Sequence, residues 1–239
     1  MISRNQIKLI QSLSLKKQRQ KHQLFVVEGI KGVLEFLDSS FELHSLFTTS
    51  PDLFEMSSDT VIISEDELKK ISSLKSPNKA LALFKIPQPK VIKQEGLLLA
   101  LDAVNDPGNL GTIIRLCDWF GVSELVCSLQ TVDCFNSKVV QATMGSLTRV
   151  NISYLDLPNF IAKSSLPVYG TYMNGENVYE SELPESGILV MGNEANGISE
   201  AVGHEVTHRL TIPRFGALQS TESLNVATAT AILLSEFRR

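Results

Sequence analysis

Residues 97–127 read LLLALDAVNDPGNLGTIIRLCDWFGVSELVC, and this stretch sets the fold class. Five apolar residues in a row (97–101) show no polar alternation and are too few for a buried helix, so they read as a strand covered on both faces. Leu110, Ile113, Ile114, Cys117 and Phe120 then recur at helical spacing, with Asn109 placed as a cap, Gly121 as a stop and Arg115 off the apolar stripe. LVC at 125–127 and ILVM at 188–191 repeat the apolar-run pattern. Strands of this kind alternating with helical stretches predict an α/β domain, a parallel sheet with helices on both faces. Residues 223–239, rich in alanine, leucine and isoleucine, predict a long and mostly buried C-terminal helix.

Upstream the texture changes. Short β-rich runs at 24–27, 45–49, 60–63 and 81–86 alternate with helical stretches, the pattern of a second, smaller α/β unit. Ser64 followed by Glu67 is a capping-box pair, the hydroxyl accepting from an early amide while the carboxylate reaches back to the cap amide. Pro87-Gln-Pro89-Lys90 interrupts the hydrophobic periodicity and reads as a linker. The boundary is expected near 87–95, dividing the chain into domains 1–90 and 91–239.

Net charge is −4, an unpromising value for a nucleic-acid binder until it is divided along the chain. Residues 1–90 carry 13 Lys+Arg against 10 Asp+Glu, and residues 91–239 carry 9 against 16, so the halves differ in sign. The first 31 residues set Arg4, Lys8, Lys16, Lys17, Arg19, Lys21 and Lys31 against Glu28 alone, an electrostatic footprint suited to phosphate. By charge alone a solvated basic helix face would look the same. No run of about 18 uncharged apolar residues occurs, and basic residues interrupt the N-terminus where a secretion signal needs an apolar stretch, so a cytoplasmic protein is expected. Cys117, Cys127 and Cys134 form no C-x-x-C pair, which argues against a disulfide framework and against zinc; no metal is expected.

An α/β domain invites a dinucleotide-binding reading, but Asp106-Pro-Gly-Asn-Leu-Gly111 lacks the close G-x-G pair that lets backbone approach a pyrophosphate. P-loop, H-E-x-x-H and G-x-S-x-G patterns are also missing. The turn after residues 188–191, with Gly192 and Gly197, is rich in glycine and asparagine, residues that tolerate positive φ and let amides approach a ligand. An ordinary strand-ending turn has the same composition.

Three segments share another template: LDAVNDPGNLGTIIRLCDWFG at 101–121, ILVMGNEANGIS at 188–199 and LTIPRFGALQSTESLNVATATAILLSE at 210–236. In that order and spacing the chain resembles the SpoU (TrmH-type) RNA methyltransferases. VDCFNSKVVQATMGSLTRV at 132–150, the S-R-N start and F-V-V-E-G at 25–29 extend the resemblance over nearly the whole chain. It implies a trefoil-knotted C-terminal domain, a homodimer, S-adenosylmethionine as methyl donor and a ribose 2′-hydroxyl as acceptor. Arg115 matches the family's active-site arginine, with Asn109, Glu194, Ser223 and Asn225 as the polar residues around it. Thr171, Met191, Gly192, Gly197, Ile212, Pro213 and Leu224 match the cofactor pocket. Arginine is a poor base, so Arg115 is expected to clamp phosphate and orient the ribose. Asn109 and Ser223 also suit helix caps, a role compatible with the first.

The N-terminal unit resembles the family's ribosomal-protein-like substrate-binding domain. With Lys16, Lys17, Arg19 and Lys21 as RNA contacts it implies structured RNA, rRNA ahead of tRNA. Methylation of tRNA, or a catalytically idle RNA-binding or ribosome-assembly role, are the alternatives. Departures from the family pattern are the long loop of residues 216–222, Arg214 and Phe215 where methionine is common, and Ser137 where proline is frequent.

Overall fold

The computed structural model describes residues 1–54, 58–216, 218 and 223–239. The long third-motif loop expected at 216–222 lies, apart from Gly216 and Leu218, outside the described residues. Along the chain the elements run α1 (Arg4–Ser12), α2 (Lys16–His22), β1 (Leu24–Glu28), α3 (Ile30–Leu37), β2 (Leu43–Thr48), β3 (Thr60–Ile62), α4 (Glu65–Ile71) and β4 (Ala80–Lys85). There follow β5 (Leu97–Leu101), α5 (Pro107–Trp119), β6 (Glu124–Ser128), α6 (Ser137–Thr143), β7 (Asn151–Leu155), α7 (Leu157–Ala162), β8 (Val168–Asn177), β9 (Gly187–Met191), α8 (Glu200–Gly203), β10 (His208–Thr211) and α9 (Val226–Phe237). The chain forms two compact units, one of Met1–Gln88 with Asp133–Thr148, the other of Pro89–Val132 with Arg149–Arg239.

The first unit holds a four-stranded sheet in the order β1-β4-β2-β3, antiparallel except where β2 meets β3. Helices start where side chains satisfy their first amides. The expected Ser64/Glu67 capping box opens α4, and a second box, Ser3 with Gln6, opens α1. Glu67 also accepts from the Ile2 amide at 3.0 Å, so one carboxylate fastens α4 and the chain start together. Ile10, Leu13, Leu24, Phe47, Leu68 and Leu83 form one core of this unit. An aromatic cluster of Phe25, Phe36, Phe41 and Phe84 forms another, with ring centroids 5.0 to 6.2 Å apart. Phe135, from the 133–148 segment, joins it at 4.7 Å from Phe25.

The second unit is the expected parallel sheet, six strands in the order β10-β8-β9-β5-β6-β7. The three runs anticipated as doubly covered strands, β5, β6 and β9, are buried at every position. Leu98, Ala100, Ile188 and Val190 meet Leu157 and Ile161 of α7 and Val202 of α8 on one face. Side chains alternate along a strand, so Leu97, Leu99 and Leu101 point to the other face, where α5 packs beside α9.

The chain moves outward from β5 to β6 and β7, then returns through β8 to β9 on the other side of β5. Between β5 and β9 the winding reverses, and at the carboxyl ends of such a pair the loops diverge and leave a crevice. The loops leaving those two strands are residues 102–106 and 192–199.

Candidate active site at the carboxyl ends of β5 and β9

Helix α5 begins one turn ahead of Asn109. Asp106 is its N-cap, accepting from the Asn109 amide at 2.8 Å, with Pro107 at the first helical position, where a missing N–H costs nothing. The expectation that Asn109 caps this helix is therefore corrected: with Asp106 in that role, the Asn109 side chain is released for other partners. A similar correction holds at α9, where the cap is Asn225 and not Ser223; the Asn225 Oδ1 accepts from the Ala227 and Thr228 amides at 3.0 and 3.2 Å.

The freed groups meet. Asn225 Nδ2 donates to Asn109 Oδ1 at 2.9 Å, and Asn109 Nδ2 donates to Glu194 Oε1 at 2.9 Å. A carboxylate only accepts, so Glu194 settles which way the Asn109 amide is turned, and Asn109 in turn settles the direction of the bond from Asn225. Three residues, from the first turn of α5, the β9–α8 turn and the N-cap of α9, thus form one directed chain. Ser223 is exposed two residues ahead of Asn225. Arg115 is not drawn into this chain. It lies six residues and about 9 Å of rise further along α5, is exposed, and has no partner among the described residues.

Beside the chain, the turn after β9 closes on itself. Asn193 and Gly197 exchange backbone hydrogen bonds at 2.9 Å, Gly197 sits at φ +68°, and a Cβ on Gly192 would stand 2.3 Å from the Gly197 carbonyl carbon. Gly192 is glycine because the turn is too tight for any side chain. Around Gly197 the space is open. Met191 is buried, Thr171 donates to the Val190 carbonyl at 3.1 Å, Ile212 and Pro213 are half-buried, and Leu224 is exposed. Backbone and apolar side chains of this sort suit the adenosine and the aliphatic part of the methionine arm of S-adenosylmethionine. No group of three His, Cys, Asp or Glu residues that could hold a metal occurs among the described residues.

Two residues with a part in this site escaped the sequence reading. Asp102 and Asn193 fasten the two loops to each other; neither stands out by periodicity, and only the loop-to-loop contact reveals them.

In the first unit the expected RNA contacts separate. Lys16, Lys17 and Lys21 of α2 are exposed. Arg19 is corrected: it is 2% exposed, its Nε and Nη2 bind Asp133 Oδ2 at 3.0 and 2.6 Å, and Nη1 donates to the Leu13 and Ser14 carbonyls. Its donors are spent inside the unit, where they tie α2 to the 133–148 segment.

The family model described as the SpoU rRNA Methylase family matches residues 96–235, more than half the chain and the whole of the site just described. The chain belongs to the SpoU rRNA methylase family. A second family model, the MRM3-like substrate binding domain, matches residues 4–82. Among curated SpoU relatives, the 23S rRNA (guanosine(2553)-2'-O)-methyltransferase RlmP of Bacillus subtilis is 33% identical over 95% of this chain and 93% of its own length. A TrmH-family structure from Porphyromonas gingivalis is 41% identical, covers 100% of this chain and 98% of its own, and superposes with a TM-score of 0.91. The AdoMet-bound rRNA methyltransferase of Sinorhizobium meliloti is 28% identical over 100% of this chain and 96% of its own, with a TM-score of 0.87.

Proposed function

We propose that this protein is an S-adenosylmethionine-dependent RNA methyltransferase that methylates a ribose 2′-hydroxyl in rRNA. The observation that carries the reading is the directed chain Asn225–Asn109–Glu194 beside the glycine turn, at the carboxyl ends of β5 and β9. RlmP, similar over nearly its whole length, and the AdoMet-bound Sinorhizobium meliloti structure support donor and acceptor class.

S-adenosylmethionine supplies a methyl group on a sulfonium, which passes to the ribose oxygen as the S–C bond breaks and the hydroxyl gives up its proton. The chain's own contribution is placement, since in-line transfer needs the reacting atoms about 3 Å apart. Two hydrogen bonds join Glu194, Asn109 and Asn225, and with Ser223 these residues orient the ribose and its flanking loops. Arg115, exposed and with no partner among the described residues, clamps a substrate phosphate, which draws the hydroxyl proton. Thr171, Met191, Gly192, Gly197, Ile212, Pro213 and Leu224 line the donor's place.

Residues 1–90, with 133–148 packed into the same unit, serve as the RNA-delivering domain through Lys16, Lys17 and Lys21, and the remainder of 91–239 as the knotted, transferring domain. The working form is a cytoplasmic homodimer. Trp119, 84% exposed on α5, offers apolar surface to a second copy and is the position at which the association face is tested.

The test is tritium transfer from labelled S-adenosylmethionine to rRNA and tRNA of a strain lacking the gene, with nucleoside analysis of the product. A 2′-O-methylnucleoside in rRNA is expected. Label on a base or in tRNA overturns the substrate assignment, and bound donor with no transfer to rRNA, free or in ribosomal subunits, overturns the activity.

A further inference from the structure

We propose that Asp102 and Asn193 are positioning residues, a polar latch that holds the glycine turn after β9 against the loop after β5 and so sets where Glu194 stands. The proposal rests on the methyltransferase reading above, and it concerns residues to which that reading gives no role.

Asp102 is 5% exposed, and its Oδ2 accepts from the Ser199 amide at 2.7 Å. No cation pairs with it among the described residues. A carboxylate is costly to bury without compensation; here the far end of the turn supplies it. The Asp102 amide donates to the Met191 carbonyl at 2.9 Å, carrying the β5–β9 pairing one residue past the strands, so the side chain leaves from a fixed point.

Asn193 secures the near end. Its Nδ2 donates to the Ala103 carbonyl at 2.7 Å, while its Oδ1 accepts from the Ala195 and Asn196 amides, both at 3.0 Å. One carboxamide thus folds the turn and attaches it to the opposite loop. Ala103 sits at φ +56°, a left-handed conformation that costs a non-glycine residue about 1 kcal/mol or more. Strain of this kind persists where surrounding contacts over-determine the backbone, and the Asn193 bond is one such contact.

Hydrophobic burial cannot do this work, because residues 194–197 are all exposed. Glu194 follows Asn193 directly. Its Oε2 lies 3.5 Å from the Asn105 amide and its Oε1 takes the Asn109 bond, so a turn adrift by an ångström would break the chain to Asn225.

The experiment reads amide exchange across residues 192–199 in the free protein, and donor affinity and turnover separately. Asp102→Ala should speed exchange of the Ser199 amide about tenfold or more and raise the dissociation constant for S-adenosylmethionine about tenfold. Asp102→Asn keeps an acceptor oxygen and should restore both within a few fold. Asn193→Ala should lower turnover about 100-fold, the cost of an ångström's misplacement, with RNA affinity unchanged. Exchange at 192–199 equal to wild type in Asp102→Ala and Asn193→Ala overturns the latch even if the enzyme methylates rRNA. Faster exchange with unaltered donor affinity and turnover overturns the positioning role. If Asp102→Ala fails to fold, Asn193→Ala carries the test alone. Wild-type protein that transfers no methyl, with a turn still loosened by Asp102→Ala, defeats the methyltransferase reading and leaves the latch in place.

Discussion

Arg115 and Arg19 show how little an arginine's place in the sequence says about its work. Each lies on a helix, Arg115 among apolar neighbours and Arg19 in the polar run KKQRQKH, yet Arg115 is exposed with no partner among the described residues and Arg19 is enclosed with Nε, Nη1 and Nη2 all donating. Arg115→Ala should abolish methyl transfer in the tritium assay and leave donor affinity within a few fold; a mutant with near-wild-type turnover would defeat the assigned role. Arg19→Ala should act on stability, by about 3 kcal/mol or more, because it strands the Asp133 carboxylate beside a void. Chemical denaturation would measure the loss, and RNA affinity at a temperature where the variant is folded should be near wild type. Replacing Lys16, Lys17 and Lys21 by alanine should do the reverse, weakening RNA binding and flattening its salt dependence while the unfolding midpoint holds. Burial raises the Cys117 thiol far above its ordinary value, with Asp118 adding to the effect, so it should resist alkylation at pH 8 until the protein unfolds.

At the scale of elements, tightness at two points decides behaviour. Gly192→Ala would drive a methyl group into the Gly197 backbone, and should cost donor binding, read by calorimetry, far more than it costs thermal stability. At the start of α4, Glu67 is held below its ordinary pKa of 4.5 by the Ser64 amide first and the Ile2 amide second. A depressed carboxylate stabilises above its unfolded pKa and loses that contribution as pH falls through its folded value. Protection of the Ser64 and Ile2 amides from exchange should therefore fall away below pH 4.5, and Glu67→Gln should abolish the dependence. The legible elements were those whose pattern is local. β5, β6 and β9 declared themselves because both their faces are buried, and α4 because its cap is a matter of four adjacent residues. β7, β8 and β10 did not, since they are only partly buried and, in β8 and β10, broken by a shift of register between Arg209 and Leu210. Resemblance to a family named Asn109, Glu194 and Asn225 together, but the hydrogen bonds that join them were not legible, because Glu194 and Asn225 lie 85 and 116 residues from Asn109 along the chain.

At the scale of the molecule, the assembly prediction is direct: Trp119→Glu should convert a dimer to a monomer in sedimentation, and a wild-type protein that is already monomeric would remove the association face. The segment Asp133–Thr148 has a further consequence. It is spliced into the first unit from beyond the β5–β6 portion of the second, bringing Phe135 to the aromatic cluster and Asp133 to Arg19. A polypeptide stopped at Gln88 is therefore an unfinished object, short of an aromatic ring and a counter-ion that its own interior requires. Such a truncation should aggregate or refold poorly on its own, and a synthetic peptide spanning 133–148, added in trans, should rescue it, as a missing stave closes a cask.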